Sequence, residues 1–155
     1  MTADVGERAN HSIFRTRDHQ RFAKQIDWRG FQSNVYSELN EMDLFVLPSL
    51  FGEGMPMVVL EAMASGLCVV APRAGGIPSL ATDGRSALLY SPGDLQDAVH
   101  CVQKLLREPE YRVRIAAAAR QSAEACTWDA AARRVRELYA ETVTLAGQAE
   151  RPPRP

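Results

Sequence analysis

Two short apolar runs, each stopped by a proline, constrain this chain more than any other feature. Leu44-Phe45-Val46-Leu47 ends at Pro48, and Leu67-Cys68-Val69-Val70-Ala71 ends at Pro72. Continuous apolar runs of this length suit strands covered on both faces, as in a parallel sheet. Between them, Met57 to Ser65 predicts a helix. Pro56 fits its first turn, where a missing N–H costs nothing, and Gly66 supplies the left-handed residue that closes it. A strand, a crossover helix and a second strand make one parallel unit. The alternation extends from about residue 26 to residue 90 and predicts an α/β fold with helices flanking a parallel sheet.

The flanking segments fill in this plan. Residues 1 to 16 show no period and read as a loose lead-in. Residues 17 to 25 suit a short helix with Phe22 and Ala23 facing inward. Ile26 to Phe31 is a strand candidate, and Ser33 offers a cap for a helix from Val35 to Met42. Gly75-Gly76 reads as a flexible loop, Ile77 to Thr82 as a single helical turn, Asp83-Gly84 as a turn and Ala87 to Tyr90 as a short strand. Asp94 caps a helix whose apolar positions are Leu95, Ala98, Val99, Val102, Leu105 and Leu106. Pro109 opens another helix, and Thr127 caps a third containing Trp128, Ala131, Val135, Leu138 and Tyr139. The expected organisation is a lead-in at 1–16, one domain at 17–145 and a disordered tail at 146–155, ending RPPRP.

A length of 155 residues, with 46% hydrophobic and 24% charged, gives one ordinary folded core. The formal net charge of -1 gives no bulk attraction for nucleic acid. A peripheral contact with a membrane is compatible with this composition but has no sequence feature behind it. The stretch Met55 to Ala71 is broken by Glu61 and Gly66 and is shorter than the roughly 20 apolar residues that span a bilayer. Cys68, Cys101 and Cys126 are an odd set at wide spacing, without a Cys-x-x-Cys pair. They fit a reducing compartment better than a disulfide framework or a zinc site. With a polar N-terminus, the expected location is the cytoplasm.

The chemistry-bearing stretch is P-S-L-F-G-E-G-M-P-M-V-V-L-E-A-M-A-S-G, from Pro48 to Gly66. It leaves one buried strand and opens a helix, the place where ligands bind in open α/β sheets. Gly52 and Gly54 let backbone approach a ligand. The amides near Met55, Met57 and Val58 lack helical partners, carry partial positive charge and suit a phosphate. Within the helix, Glu61 is the one ionisable residue on an otherwise apolar segment, so it is expected to be buried. A buried carboxylate needs donors. Ribose or sugar hydroxyls would serve, and so would an arginine such as Arg73. Glu53 lies close to the same helix mouth, where an acid near a helix N-terminus is also unremarkable. No G-x-G-x-x-G fingerprint, G-x-x-x-x-G-K-[ST] loop or Asp-x-Asp pair occurs.

The run from Asp43 to Ala71, with Glu53 and Glu61 separated by seven residues, resembles the signature segment of glycosyltransferase family 4 and its relatives. This large group of retaining enzymes with the GT-B fold includes sucrose synthase, glycogen synthase and bacterial mannosyltransferases. I-D-W-R-G-F, A-G-G-I-P-S-L, Asp83-Gly84 and T-W-D-A-A-A resemble neighbouring family segments, so the likeness covers roughly residues 18 to 142. It implies a Rossmann-like C-terminal lobe of a GT-B fold, truncated on its N-terminal side. By resemblance, Glu53 is the catalytic residue facing the donor sugar, and Glu61 hydrogen-bonds the ribose. Gly54, Met55, Met57 and Val58 would meet the sugar and phosphate, with Gly30 and Phe31 near the base. The implied reaction transfers a sugar from a nucleoside diphosphate donor to an acceptor hydroxyl, with retention and without a metal or cofactor. The implied partners are a nucleotide sugar and a separate acceptor-binding lobe.

The alternative is a non-catalytic interaction lobe that keeps the fold without activity. A sugar-nucleotide epimerase and a two-carboxylate glycoside hydrolase fit the pattern less well. His11, His19 and His100 read as surface or packing residues, Cys68 as a small buried hydrophobe, and Trp128 as a helix-docking anchor.

Overall fold

The computed structural model describes residues 22–49 and 54–148. The chain divides into two compact units, Met1–Ser37 and Glu38–Pro155. In the first unit, Ala23–Gln25 forms a single 3-10 turn, and the chain leaves it extended at Ile26. The expected strand from Ile26 to Phe31 does not form. A strand is held by a ladder to a neighbouring strand, and no such ladder forms over residues 26–31 among the described residues. Phe22 is exposed rather than turned inward, as are Ile26, Trp28 and Phe31.

Helix α1, Val35–Asn40, begins one residue after Asn34, whose carbonyl accepts from the Ser37 hydroxyl. The first apolar run becomes strand β1, Leu44–Val46, and helix α2 follows at Met57–Ala64. Gly66 takes φ 78 and closes α2 in the left-handed conformation expected of it. The second apolar run becomes β2, Cys68–Pro72. Next come the short helix α3, Ile77–Leu80, and strand β3, Leu88–Tyr90. Three longer helices complete the order: α4, Leu95–Arg107; α5, Pro109–Glu124; and α6, Trp128–Gln148. The last helix reaches three residues into the segment expected to be a disordered tail.

The sheet is parallel throughout, in the order β1-β2-β3. Leu44 pairs with Cys68 and Val46 with Val70, while Val70 also pairs with Leu88 and Pro72 with Tyr90. The strands β2 and β3 are buried along their whole length. β1, expected to be covered on both faces, lies at an edge and is half-buried, with Val46 exposed. An apolar run reports the capacity to be covered and does not report whether a neighbour is there.

Along β2 side chains alternate between faces. Cys68 and Val70 pack with Leu88 and Tyr90 of β3, Cys101 and Leu105 of α4, and Ile115 of α5. Both α2 and α5 pack against β2 and against each other, burying Val59, Ala62 and Met63 on one and Ala119 and Ala123 on the other. Burying a side chain the size of Leu105 stabilises the fold by about 1.5–3 kcal/mol. The Asp94 carboxylate accepts from the Asp97 amide at 3.0 Å and caps α4. Thr127 caps α6 in the same manner, its hydroxyl accepting from the Ala130 amide at 3.1 Å.

α6 departs from expectation in its packing. Trp128, Val135, Leu138, Tyr139, Val143 and Leu145 are all exposed. Trp128, expected to be a docking anchor, is 90% exposed among the described residues. Helical spacing gave the apolar stripe correctly, but a stripe is covered only where another element lies against it.

Candidate functional site

Because the strands are parallel, the segments after β1, β2 and β3 emerge along one edge of the sheet. Hydrogen bonds brace this edge. The Leu47 amide donates to the Val70 carbonyl at 2.9 Å, and the Arg73 amide to the Tyr90 carbonyl at 2.8 Å. The Tyr90 hydroxyl reaches from β3 to the Leu47 carbonyl at 2.9 Å, and burial raises its pKa. The Arg73 guanidinium donates to the Leu89 carbonyl at 3.2 Å and to Asp83 at 2.5 Å. Asp83 in turn accepts from the Leu89 amide at 2.8 Å. Burial pushes the Asp83 carboxyl up, but the Leu89 amide, the Arg73 guanidinium and the Gly84 amide outweigh it, so its pKa lies below the ordinary carboxylate value.

The mouth of α2 opens on this edge. Gly54, Met55 and Met57 are exposed, Val58 and Glu61 are half-buried, and Pro56 is buried at the helix cap with φ -71. The amides of Met55, Met57 and Val58 donate to no group among the described residues. At positions 57 and 58 this is the ordinary state of a helix start, and proline at 56 carries no N–H. Glu61 lies one turn further in, on the same stripe as Met57. Helical side chains lean toward the N-terminus, so its carboxylate is carried toward the mouth.

Two expectations for Glu61 are corrected. It is half-buried rather than buried, because α2 covers only its Val59, Ala62 and Met63 side. Its carboxylate has no partner among the described residues, and no described side-chain oxygen or nitrogen is buried without one. Arg73, one of the partners considered for it, is held by Asp83 instead.

The structure gathers Gly54, Met55, Met57, Val58 and Glu61 at one helix mouth. Glu53 lies outside the described residues. Gly30 and Phe31 belong to the first unit. Gly30 adopts φ 63, and Phe31 is 95% exposed.

The loop after β2, read from sequence as flexible, is tied to the site. The Gly76 amide donates to the Gly54 carbonyl at 2.6 Å. A β-carbon at Gly76 would overlap that carbonyl oxygen and lie 3.1 Å from its carbon and 3.3 Å from the Met55 α-carbon. Sequence reasoning noticed the glycine pair but not this role. The two loops are 22 positions apart in sequence (76 minus 54), and only strand pairing makes them neighbours.

A separate apolar groove of about 270 Å³ lies between the sheet and α4, lined by Val46, Pro48, Tyr90, Leu95, Ala98 and Val102. Among the described residues, no three His, Cys, Asp or Glu side chains cluster as metal ligands. No described helix is long and apolar enough to cross a membrane.

Comparison with known proteins gives a consistent result. A family model described as glycosyl transferases group 1 matches residues 5–108. The sulfoquinovosyl transferase SQD2 of Arabidopsis thaliana is 44% identical over 105 residues, 65% of this chain and 20% of the relative. A D-inositol 3-phosphate glycosyltransferase of Corynebacterium urealyticum is 35% identical over 72% of this chain and 26% of the relative. The chain thus spans between a fifth and about a quarter of the length of these relatives. Among solved structures, Anabaena HepE in complex with UDP matches with TM-score 0.67 and 25% identity, covering 81% of this chain and 35% of that one. The same protein has been solved with UDP-glucose. A glycosyltransferase from Rickettsia africae has the same fold, with TM-score 0.72 and 17% identity over 87% of this chain and 38% of that one.

Proposed function

Since the chain belongs to the glycosyl transferases group 1 family, we propose that it is the donor-binding domain of a retaining hexosyltransferase, acting with an acceptor-binding lobe. The observation that carries this reading is the mouth of α2. There the amides of Met55, Met57 and Val58 have no partner among the described residues, and the half-buried Glu61 carboxylate is open beside them. Free amides at a helix start suit a diphosphate. An acceptor-only carboxylate suits a pair of ribose hydroxyls. The UDP and UDP-glucose complexes of Anabaena HepE support the same ligand class.

In the proposed reaction, the bond between the anomeric carbon and the diphosphate oxygen breaks. The nucleoside diphosphate departs with the electron pair. The acceptor oxygen bonds to the anomeric carbon on the face the diphosphate leaves, and its proton passes to the departing oxygen. Glu53 stabilises the positive charge on the sugar ring while the helix-mouth amides stabilise the leaving diphosphate. No metal or cofactor takes part. Holding the acceptor against the donor supplies much of the rate, and that falls to the other lobe. Cytoplasmic location belongs to the same proposal, supported by three free cysteines.

Titration with UDP-glucose, followed by ligand NMR, tests this reading. Binding in the micromolar to millimolar range is expected, with a loss of about tenfold or more on Glu61→Ala, whose hydrogen bonds to hydroxyls are charge-assisted. A folded chain that binds UDP-, GDP- and ADP-sugars no better than its Glu61→Ala variant refutes the donor site. The exposed apolar face of α6 favours a second reading, an interaction lobe without activity. That reading predicts a stable hetero-complex and no nucleotide binding.

A further inference from the structure

We infer that Gly76 is a positioning residue of the donor site. It fixes the peptide between Gly54 and Met55, so that the Met55 amide is presented to the ligand. The inference rests on the donor-binding reading above for what the amide meets, but not for the strut itself.

Three observations carry it. First, the Gly76 amide holds the Gly54 carbonyl at 2.6 Å, although the two residues lie in loops after different strands. In a trans peptide the C=O and N–H point in opposite directions. Anchoring the Gly54 carbonyl on the second loop therefore turns the Met55 N–H away from that loop. Second, the Met55 amide has no partner among the described residues, so its direction is set by this anchor and not by a competing bond. Third, the contact tolerates only glycine on one side. A β-carbon at Gly76 overlaps the Gly54 carbonyl oxygen, which is backbone and cannot rotate away as a side chain could. A β-carbon at Gly54 meets nothing within 4 Å.

The second loop is itself held. The Arg73 guanidinium is fixed by Asp83 and the Leu89 carbonyl. The Ser79 hydroxyl donates to the Gly76 carbonyl at 2.6 Å. Gly76 is thus a braced stop against which the first loop rests.

The asymmetry between the two glycines provides the test. Amide hydrogen exchange and 15N–1H spectra would be recorded on the full chain without ligand, for the unsubstituted protein, Gly76→Ala and Gly54→Ala. The residue-76 amide is expected to exchange several-fold more slowly than an open loop amide, up to about tenfold, as one hydrogen bond of ordinary net strength allows. Gly54→Ala should keep that protection. Gly76→Ala should lose it and shift the Met55 and Met57 amide resonances, while those of Val69 and Val70 stay in place. A second arm measures UDP-glucose affinity, where Gly76→Ala should weaken binding about tenfold.

Fast exchange at residue 76 in the unsubstituted chain overturns the strut, and this holds even where Gly76→Ala does not fold. Unmoved Met55 and Met57 resonances in a folded Gly76→Ala variant overturn it as well. If the strut behaves as expected but no nucleotide sugar binds the unsubstituted chain, the donor-site reading fails and the loop anchor stands. If binding occurs and is indifferent to Gly76→Ala, the positioning role fails and the donor site stands.

Discussion

A carboxylate held by donors at the rim of a sheet makes folding stability depend on acid. Asp83 accepts from the Leu89 amide and the Arg73 guanidinium, and these donors hold its pKa below the ordinary carboxylate value. A depressed pKa adds stability that is present above the unfolded-state pKa and disappears as pH falls through the folded one. Asp83→Asn should therefore lower stability at pH 7. The gap to the unsubstituted protein should close as pH falls below about 4. Urea titrations at pH 7 and pH 3 read both points, and a gap that persists undiminished at pH 3 refutes the assignment. Glu61 shows how far single residues could be read from sequence. Its isolation on an apolar helix was legible, and so was its placement near the mouth. Its half-burial was not, because that depends on which side of α2 is covered. Gly76 was legible only as a glycine, since its partner lies on a different loop.

Helices of this chain differ in what they contribute. α4 directs Cys101 and Leu105 into the core while leaving Leu95 and Leu106 exposed. α6 has no buried residue among its described side chains. Leu105→Ala should cost about 2–5 kcal/mol, the range for a fully buried leucine in a packed core. Trp128→Ala should change stability by less than about 0.5 kcal/mol, although tryptophan is the larger side chain. Thermal melts of the two variants decide this, and a large loss at Trp128 would mean that α6 is packed in solution. Periodicity located α4 and α6, Pro109 marked the start of α5, and the caps at Asp94 and Thr127 were readable from residue type alone. It could not separate the packed face of α4 from the open face of α6. Both are apolar stripes, and the difference lies in what else is present. The strand expected at Ile26 does not form among the described residues, since an apolar run does not say whether a ladder meets it.

For the molecule as a whole, alternation of strand and helix was enough to set a parallel sheet. Strand order follows chain order among the described residues, each strand pairing with the next. If donor binding rests on helix-mouth amides and Glu61, chelation should leave it untouched. UDP-glucose affinity measured with and without EDTA is expected to agree within about twofold, since free backbone amides at a helix mouth can hold a diphosphate without a cation. A marked loss on chelation would require a cation in the site. The anchor between Gly54 and Gly76 also bears on how this protein comes to exist. Closing a loop of about twenty residues costs only about 0.6 kcal/mol more than closing one of half that length, and contacts near in sequence form early. A strand, a helix, the next strand and the stop that holds the first loop all fall within one short span. A growing chain emerging from a ribosome could shape this loop pair before its last three helices had been made.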